Sequence, residues 1–169
     1  MQSKKGGKAV SDKAANTFVS ILKNKHIKAA TAESLTGGLI SKKITDVAGA
    51  SEVFECGICS YSNRIKQHIL GVRKETLQEY SEYSIQCAEE MAQGVRRLSG
   101  ADIGISTTGI AGPGGGTEEK PVGTVYVGIS TENDTKAYKL CFGADHSREE
   151  IREMSAEQAL ILAVRMIQN

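Results

Sequence analysis

The run Thr107-Thr108-Gly109-Ile110-Ala111-Gly112-Pro113-Gly114-Gly115-Gly116-Thr117 joins two apolar strand candidates with no helix between them. Ile103-Gly104-Ile105-Ser106 leads into it. Residues 122–129, where Val125, Val127 and Ile129 alternate with smaller or polar positions, lead out. Elsewhere strands and helices alternate, so the direct strand-to-strand join predicts a mixed sheet: mostly parallel, one strand antiparallel, helices on both faces. The glycines also let backbone amides approach a ligand closely. The run is no known phosphate fingerprint: it opens no helix as G-x-G-x-x-G does, and no Lys-Ser/Thr follows Gly109-x-x-x-x-Gly114. A site is expected here, with its chemistry supplied by other parts of the chain.

Towards the N-terminus, residues 11–25 read as a helix capped by Ser11, with Ala14, Phe18, Ile21 and Leu22 on one face. Residues 27–32 read as a strand running into Glu33-Ser34-Leu35-Thr36-Gly37-Gly38. A helix is predicted to start near Thr36, with Ile40, Ile44 and Val47 facing the core. Ser34 then stands at the carboxyl end of a strand beside a helix N-terminus, placed either to cap that helix or to act as a nucleophile. Residues 53–61 form the next strand candidate. Cys56-x-x-Cys59 lies within it, and residues three apart on a strand face opposite ways, so no metal site is predicted. After Tyr61-Ser62-Asn63 comes a helical stretch with Arg64, Lys66 and His68. Lys66 is a solvated surface lysine unless the fold buries it, and a desolvated lysine can act as a base.

Ser84 caps the clearest amphipathic helix, with Ile85, Ala88, Met91, Ala92, Val95 and Leu98 on one face and Gly100 at its end. Beyond the glycine-rich run, a turn at Glu132-Asn133-Asp134 predicts a hairpin to Tyr138, Leu140 and Phe142. The last helix opens with the capping-box pattern Ser147-Arg148-Glu149-Glu150. Arg148 in its first turn is a surface cation or, together with free amides, an anion site. Ser34, Tyr61 and the loop after Thr107 all leave carboxyl ends of strands, where ligands collect in open α/β sheets.

The chain has 169 residues and a formal net charge of +1. Residues 1–10 are expected to be a flexible tail and 11–169 one domain. The charge balance gives no case for nucleic acid, and no apolar run reaches the roughly 20 residues of a membrane span. Four scattered cysteines without a secretory signal point to reduced thiols and a cytoplasmic protein. His26, His68 and His146 show no ligand spacing, and no cofactor is expected.

Ala32-Glu33-Ser34-Leu35-Thr36-Gly37-Gly38, residues 44–51, Tyr61-Ser62-Asn63, Leu70-Gly71-Val72 and residues 108–126 closely resemble, in matching order, the competence-damage-inducible CinA C-terminal domain family. The resemblance is to the stand-alone form, without the N-terminal nucleotide-related domain of larger members. It implies a three-layer α/β/α sandwich around a mixed five-stranded sheet. The implied activity is nicotinamide mononucleotide deamidation, yielding nicotinate mononucleotide and ammonia in pyridine nucleotide salvage. By motif, Ser34 would be the nucleophile and Lys66 its general base. Tyr61 and Ser51 would complete the polar site, Thr108 and Gly109 would hold the oxyanion, and Arg148 would bind the substrate phosphate. Thr36 and Gly37 would lie beside the substrate. No metal is implied, and a homodimer is expected by analogy.

Two stretches depart from the family pattern. Tyr80-Ser81-Glu82-Tyr83-Ser84 stands where the family has Tyr-Gly-Ala-Val-Ser, and His146-Ser147-Arg148 where it has Gly-Asp-Arg. The alternatives are a non-catalytic nucleotide-binding or interaction module linked to competence or DNA damage, and an amidase for another small amide.

Overall fold

A computed structural model describes residues 8–168. The expected tail at residues 1–7 lies outside the described residues, whereas residues 8–10 already belong to the first helix. That helix, α1, spans Lys8–Lys25, so Ser11 falls inside it and does not cap it. Then come β1 (Ala29–Glu33), α2 (Leu39–Thr45), a 3-10 turn (Ala50–Glu52) and β2 (Phe54–Cys59). The chain continues through α3 (Asn63–Leu70), α4 (Lys74–Glu79), α5 (Ile85–Ser99), β3 (Ile103–Gly109), β4 (Thr124–Ser130), β5 (Thr135–Cys141) and α6 (Arg148–Gln168).

The five strands form one sheet in the order β2-β1-β3-β4-β5. β1 pairs in parallel with β2 and β3, and β4 pairs antiparallel with β3 and β5. Four strands therefore point one way and β4 alone opposes them, as the strand-to-strand join predicts. α1, α2 and α6 cover one face, where Phe18, Leu22, Ile40, Ile44, Ile151 and Leu160 pack on Ile105, Val127 and Ile129. On the other face Ala30 and Ala32 of β1 meet Leu70, Val72, Met91 and Val95. Because successive side chains alternate across a strand, Ala29 joins the first core and Ala30 the second. Each fully buried apolar side chain contributes about 1.5–3 kcal/mol, so the two layers hold the sheet between them.

α5 lies close to the sheet because the strands beneath it carry no bulk. A Cβ on Gly104 would come within 2.1 Å of the Ala92 carbonyl, and one on Gly128 within 2.3 Å of the Ala88 carbonyl. Ser106 between them donates to Ala88 O at 2.6 Å. Helix ends follow local chemistry. Ser84 Oγ accepts from Cys87 N and Gly100 ends α5 with φ 70°. Ser147 and Glu150 form the reciprocal capping box, through Ser147 N to Glu150 Oε2 at 2.7 Å and Glu150 N to Ser147 Oγ at 3.2 Å.

Candidate active site

The turn after β1 is built by Glu33. Its fully buried carboxylate accepts the amides of Gly38 at 2.9 Å, Ile40 at 3.0 Å and Ser41 at 2.8 Å, and the Ser41 hydroxyl at 2.7 Å. These amides open α2 and have no partner within the helix, so the carboxylate supplies acceptors and complements the helix dipole. α2 therefore starts at Leu39, later than predicted, and Ser34 is not its cap. Ser34 instead continues the ladder one residue past β1, donating its amide to Thr107 O at 2.9 Å. Arg152 of α6 fastens the turn from outside, with Nε to Leu35 O at 3.0 Å and Nη2 to Thr36 O at 2.8 Å.

Ser62 caps α3 by accepting the Ile65 amide, which turns Lys66 inward. Lys66 is only 1% exposed, and its Nζ donates to Ser34 Oγ at 3.1 Å and Ser60 O at 3.0 Å. Burial holds its pKa below the usual lysine value of 10.5, against the opposing pull of Cys87 and Glu82. The Cys87 thiol, also buried, is pushed up to about 12 and stays neutral.

Ser34 and Lys66 open into a cavity of about 290 Å³ whose walls include Tyr61, Glu82, Tyr83, Gly109, residues 110–112 and Arg148. This is near the lower end of ligand clefts, which run from about 300 to 1,000 Å³. Arg148 spans its rim: Nη1 donates to Gly112 O at 2.7 Å and Nη2 to the Tyr61 hydroxyl at 3.0 Å. The loop between β3 and β4 is thus tied to α6 at Gly112. Further along the same loop, Lys120 Nζ donates to Tyr80 O at 3.0 Å and Ser81 Oγ at 2.7 Å.

A family described as the CinA C-terminal domain matches residues 11–167. The chain belongs to that family. It is 51% identical over 149 residues to a competence-damage inducible protein by name from Thermoanaerobacter sp. (strain X514), covering 88% of this chain and 36% of that one. A protein of the same description from Clostridium perfringens (strain ATCC 13124) is 49% identical over 134 residues, covering 79% of this chain and 32% of that one. The chain spans about a third of the length of these curated relatives. The crystal structure of competence/damage inducible protein CihA from Agrobacterium tumefaciens superposes with a TM-score of 0.91 at 34% identity, with all of both chains covered.

In this CinA domain the expected site residues divide. Ser34, Lys66, Tyr61, Gly109 and Arg148 meet at the one cavity. Ser51 does not. It sits in the turn before β2, and because β2 runs parallel to β1 that turn lies at the amino-terminal edge of the sheet, away from Ser34. Thr108 is a second correction. β3 alternates, so Thr108 points towards α5, and its buried hydroxyl donates to Glu82 O at 2.7 Å. Thr36 is fully buried, bonded to the Thr107 hydroxyl at 2.7 Å, and neither it nor Gly37 lines the cavity. They shape the turn that carries Ser34.

Among the residues of this cavity and its supporting turn that the sequence did not single out, four are charged or aromatic and bear on its chemistry. Glu33 and Arg152 build the Ser34 turn, and Glu82 and Tyr83 line the cavity. The available signal for the last two was their place just ahead of the Ser84 cap. For Glu33 it was a charged residue closing a run of small, buried strand residues, Ala29–Glu33. Among the described residues no helix is long and apolar enough to cross a membrane.

Proposed function

We propose that this chain is an amidohydrolase acting on nicotinamide mononucleotide. The observation that carries the reading is the 3.1 Å contact between Lys66 Nζ and Ser34 Oγ, made by a lysine whose burial favours its neutral form. A neutral amine accepts the hydroxyl proton while Oγ attacks the carboxamide carbon, and the carbonyl electrons move to oxygen. When the tetrahedral intermediate collapses, the C–N bond breaks and Lys66 returns the proton to the leaving nitrogen, releasing ammonia. Water then donates a proton to Lys66 and attacks the acyl ester as hydroxide, and Ser34 leaves with the proton restored. The net change is amide plus water to acid plus ammonia.

The oxyanion requires preorganised donors, each worth roughly 3–4 kcal/mol of barrier. The Thr108 hydroxyl is committed to Glu82 O, the Ile110 amide to Thr124 O and the Ser34 amide to Thr107 O. The role passes to backbone amides of the cavity wall at and beyond Gly109. Arg148, at the rim, receives the phosphate through its planar, always charged guanidinium. Tyr61 orients that guanidinium through its hydroxyl.

The test is ammonia release from nicotinamide mononucleotide by the purified protein beside Ser34→Ala and Lys66→Met. Each variant is expected to lose at least about a thousandfold in kcat/KM, as nucleophile and base act as a unit. No turnover by the unaltered protein defeats the enzyme reading. Equal turnover by Ser34→Ala defeats the nucleophile assignment.

A further inference from the structure

The cavity carries two charges that the amidase steps do not use together. Glu82 precedes α5 and reaches the cavity from one face of the sheet, while Arg148 opens α6 on the other. Among the described residues neither has an ion-pair partner. The backbone around Glu82 is held from both sides: its carbonyl accepts the Thr108 hydroxyl, and Lys120 clamps Tyr80 and Ser81 just before it. Its backbone is therefore fixed in the cavity wall, and its carboxylate is close enough to act electrostatically on both Lys66 and Tyr83. Two aromatic rings, Tyr61 and Tyr83, share that wall. Burial raises the Tyr83 phenol above its ordinary value, helped by the nearby Glu82 and Tyr61 oxygens, so this wall offers one carboxylate and neutral aromatic faces.

We propose that Glu82 is a specificity residue: with Tyr61 and Tyr83 it selects ligands whose ring is cationic, while Arg148 takes the anionic group at the other end. The preferred ligand is thus dipolar, a positively charged heteroaromatic ring on a phosphorylated sugar. This rests on the amidase reading above, whose substrate has that charge pattern in its pyridinium ring and phosphate, and it assigns the ring charge a partner. Two physical terms support it. A carboxylate in a partly enclosed cleft attracts a cation more strongly than in bulk water, and aromatic faces add to the attraction. Burial biases Lys66 towards its neutral form and so weakens its hold on the charge of Glu82 at the reacting end, where the ring must lie for its carboxamide to reach Ser34. A neutral ring of the same shape gains none of this, so selection comes from charge and not from fit.

The experiment compares nicotinamide mononucleotide with its dihydro form, which keeps the carboxamide, ribose and phosphate but has a neutral ring. Ammonia release is measured for both with the unaltered protein and with Glu82→Gln. The intrinsic reactivity of the two amides cancels in the ratio of ratios. The preference for the cationic form is expected to shrink on the order of tenfold in Glu82→Gln. A preference that survives within about twofold, or equal losses for both forms, overturns the proposal. Calorimetric binding of both forms to Ser34→Ala, with and without Glu82→Gln, separates this from the chemistry. Charge-selective binding that depends on Glu82, without turnover by the unaltered protein, defeats only the amidase reading. Turnover without charge selection defeats only the role of Glu82, and binding of neither form defeats both.

Discussion

Lys66 and Ser34 stand 32 positions apart in the chain, yet the lysine Nζ reaches the serine Oγ at 3.1 Å in a buried setting at the cavity floor. The consequence for pH follows from the direction of the lysine's shift. Its folded pKa lies below 10.5, so between the two values the unfolded chain holds a proton that the folded chain has released. Stability then rises with pH across that window and is flat below it, where both states are protonated. Relative to Lys66→Met, the unaltered protein is expected to gain up to about 1.4 kcal/mol per pH unit within the window. Parallel stability curves in urea titrations from pH 6 to 10 would contradict a depressed lysine. Deamidation should rise with pH through the same folded value.

Arg148 donates to both Tyr61 and Gly112, so removing it disturbs the rim as well as any phosphate contact. The two effects separate by substrate. For Arg148→Met, the loss in kcat/KM for nicotinamide mononucleotide should exceed the loss for the unphosphorylated riboside by on the order of tenfold or more. Equal losses would leave Arg148 as a structural clasp only.

Glu33 satisfies three helix-opening amides and a hydroxyl from a position closed to water. Glu33→Gln keeps the shape but turns an acceptor into a donor and removes the charge facing the helix dipole. A loss of about 2–3 kcal/mol is expected, read as a lower urea midpoint at unchanged slope. A loss within about 0.5 kcal/mol would mean that the carboxylate is replaceable.

Ser81 has φ 69°, a left-handed conformation that costs a residue with a side chain about 1–2 kcal/mol. Its hydroxyl offsets this by bonding Lys120 Nζ at 2.7 Å. Ser81→Ala keeps the strain and loses the bond, whereas Ser81→Gly loses both. The glycine variant should therefore be more stable than the alanine variant by about 1 kcal/mol in thermal or urea unfolding. The reverse order would remove the strain argument.

The elements whose cause is local were legible. The stripe of α5 with its Ser84 cap and Gly100 stop, the capping box of α6 and the hairpin from β4 to β5 each depend on residues a few positions apart, although Leu98, expected on the core face of α5, is exposed. The mixed sheet was legible for the same reason, since a glycine-rich join that holds no crossover helix lets β4 run back beside β3. The start of α2 moved to Leu39, because Glu33, outside the helix, supplies the acceptors for its opening amides.

The sequence by itself determined that strands would end together near Ser34, Tyr61 and Thr107, because right-handed alternation of strand and helix leaves carboxyl ends on one edge. It also supplied the residue types that chemistry there would use. Only the tertiary structure decided which of them share the cavity. Parallel pairing of β1 with β2 put Ser51 at the far edge, and the face of β3 turned towards α5 tied Thr108 to Glu82. Packing of α3 under the sheet stripped water from Lys66, and the α5 and α6 openings brought Glu82 and Arg148 to one cleft. Periodicity records how apolar a face is, whereas desolvation and contact depend on what another part of the chain lays against it.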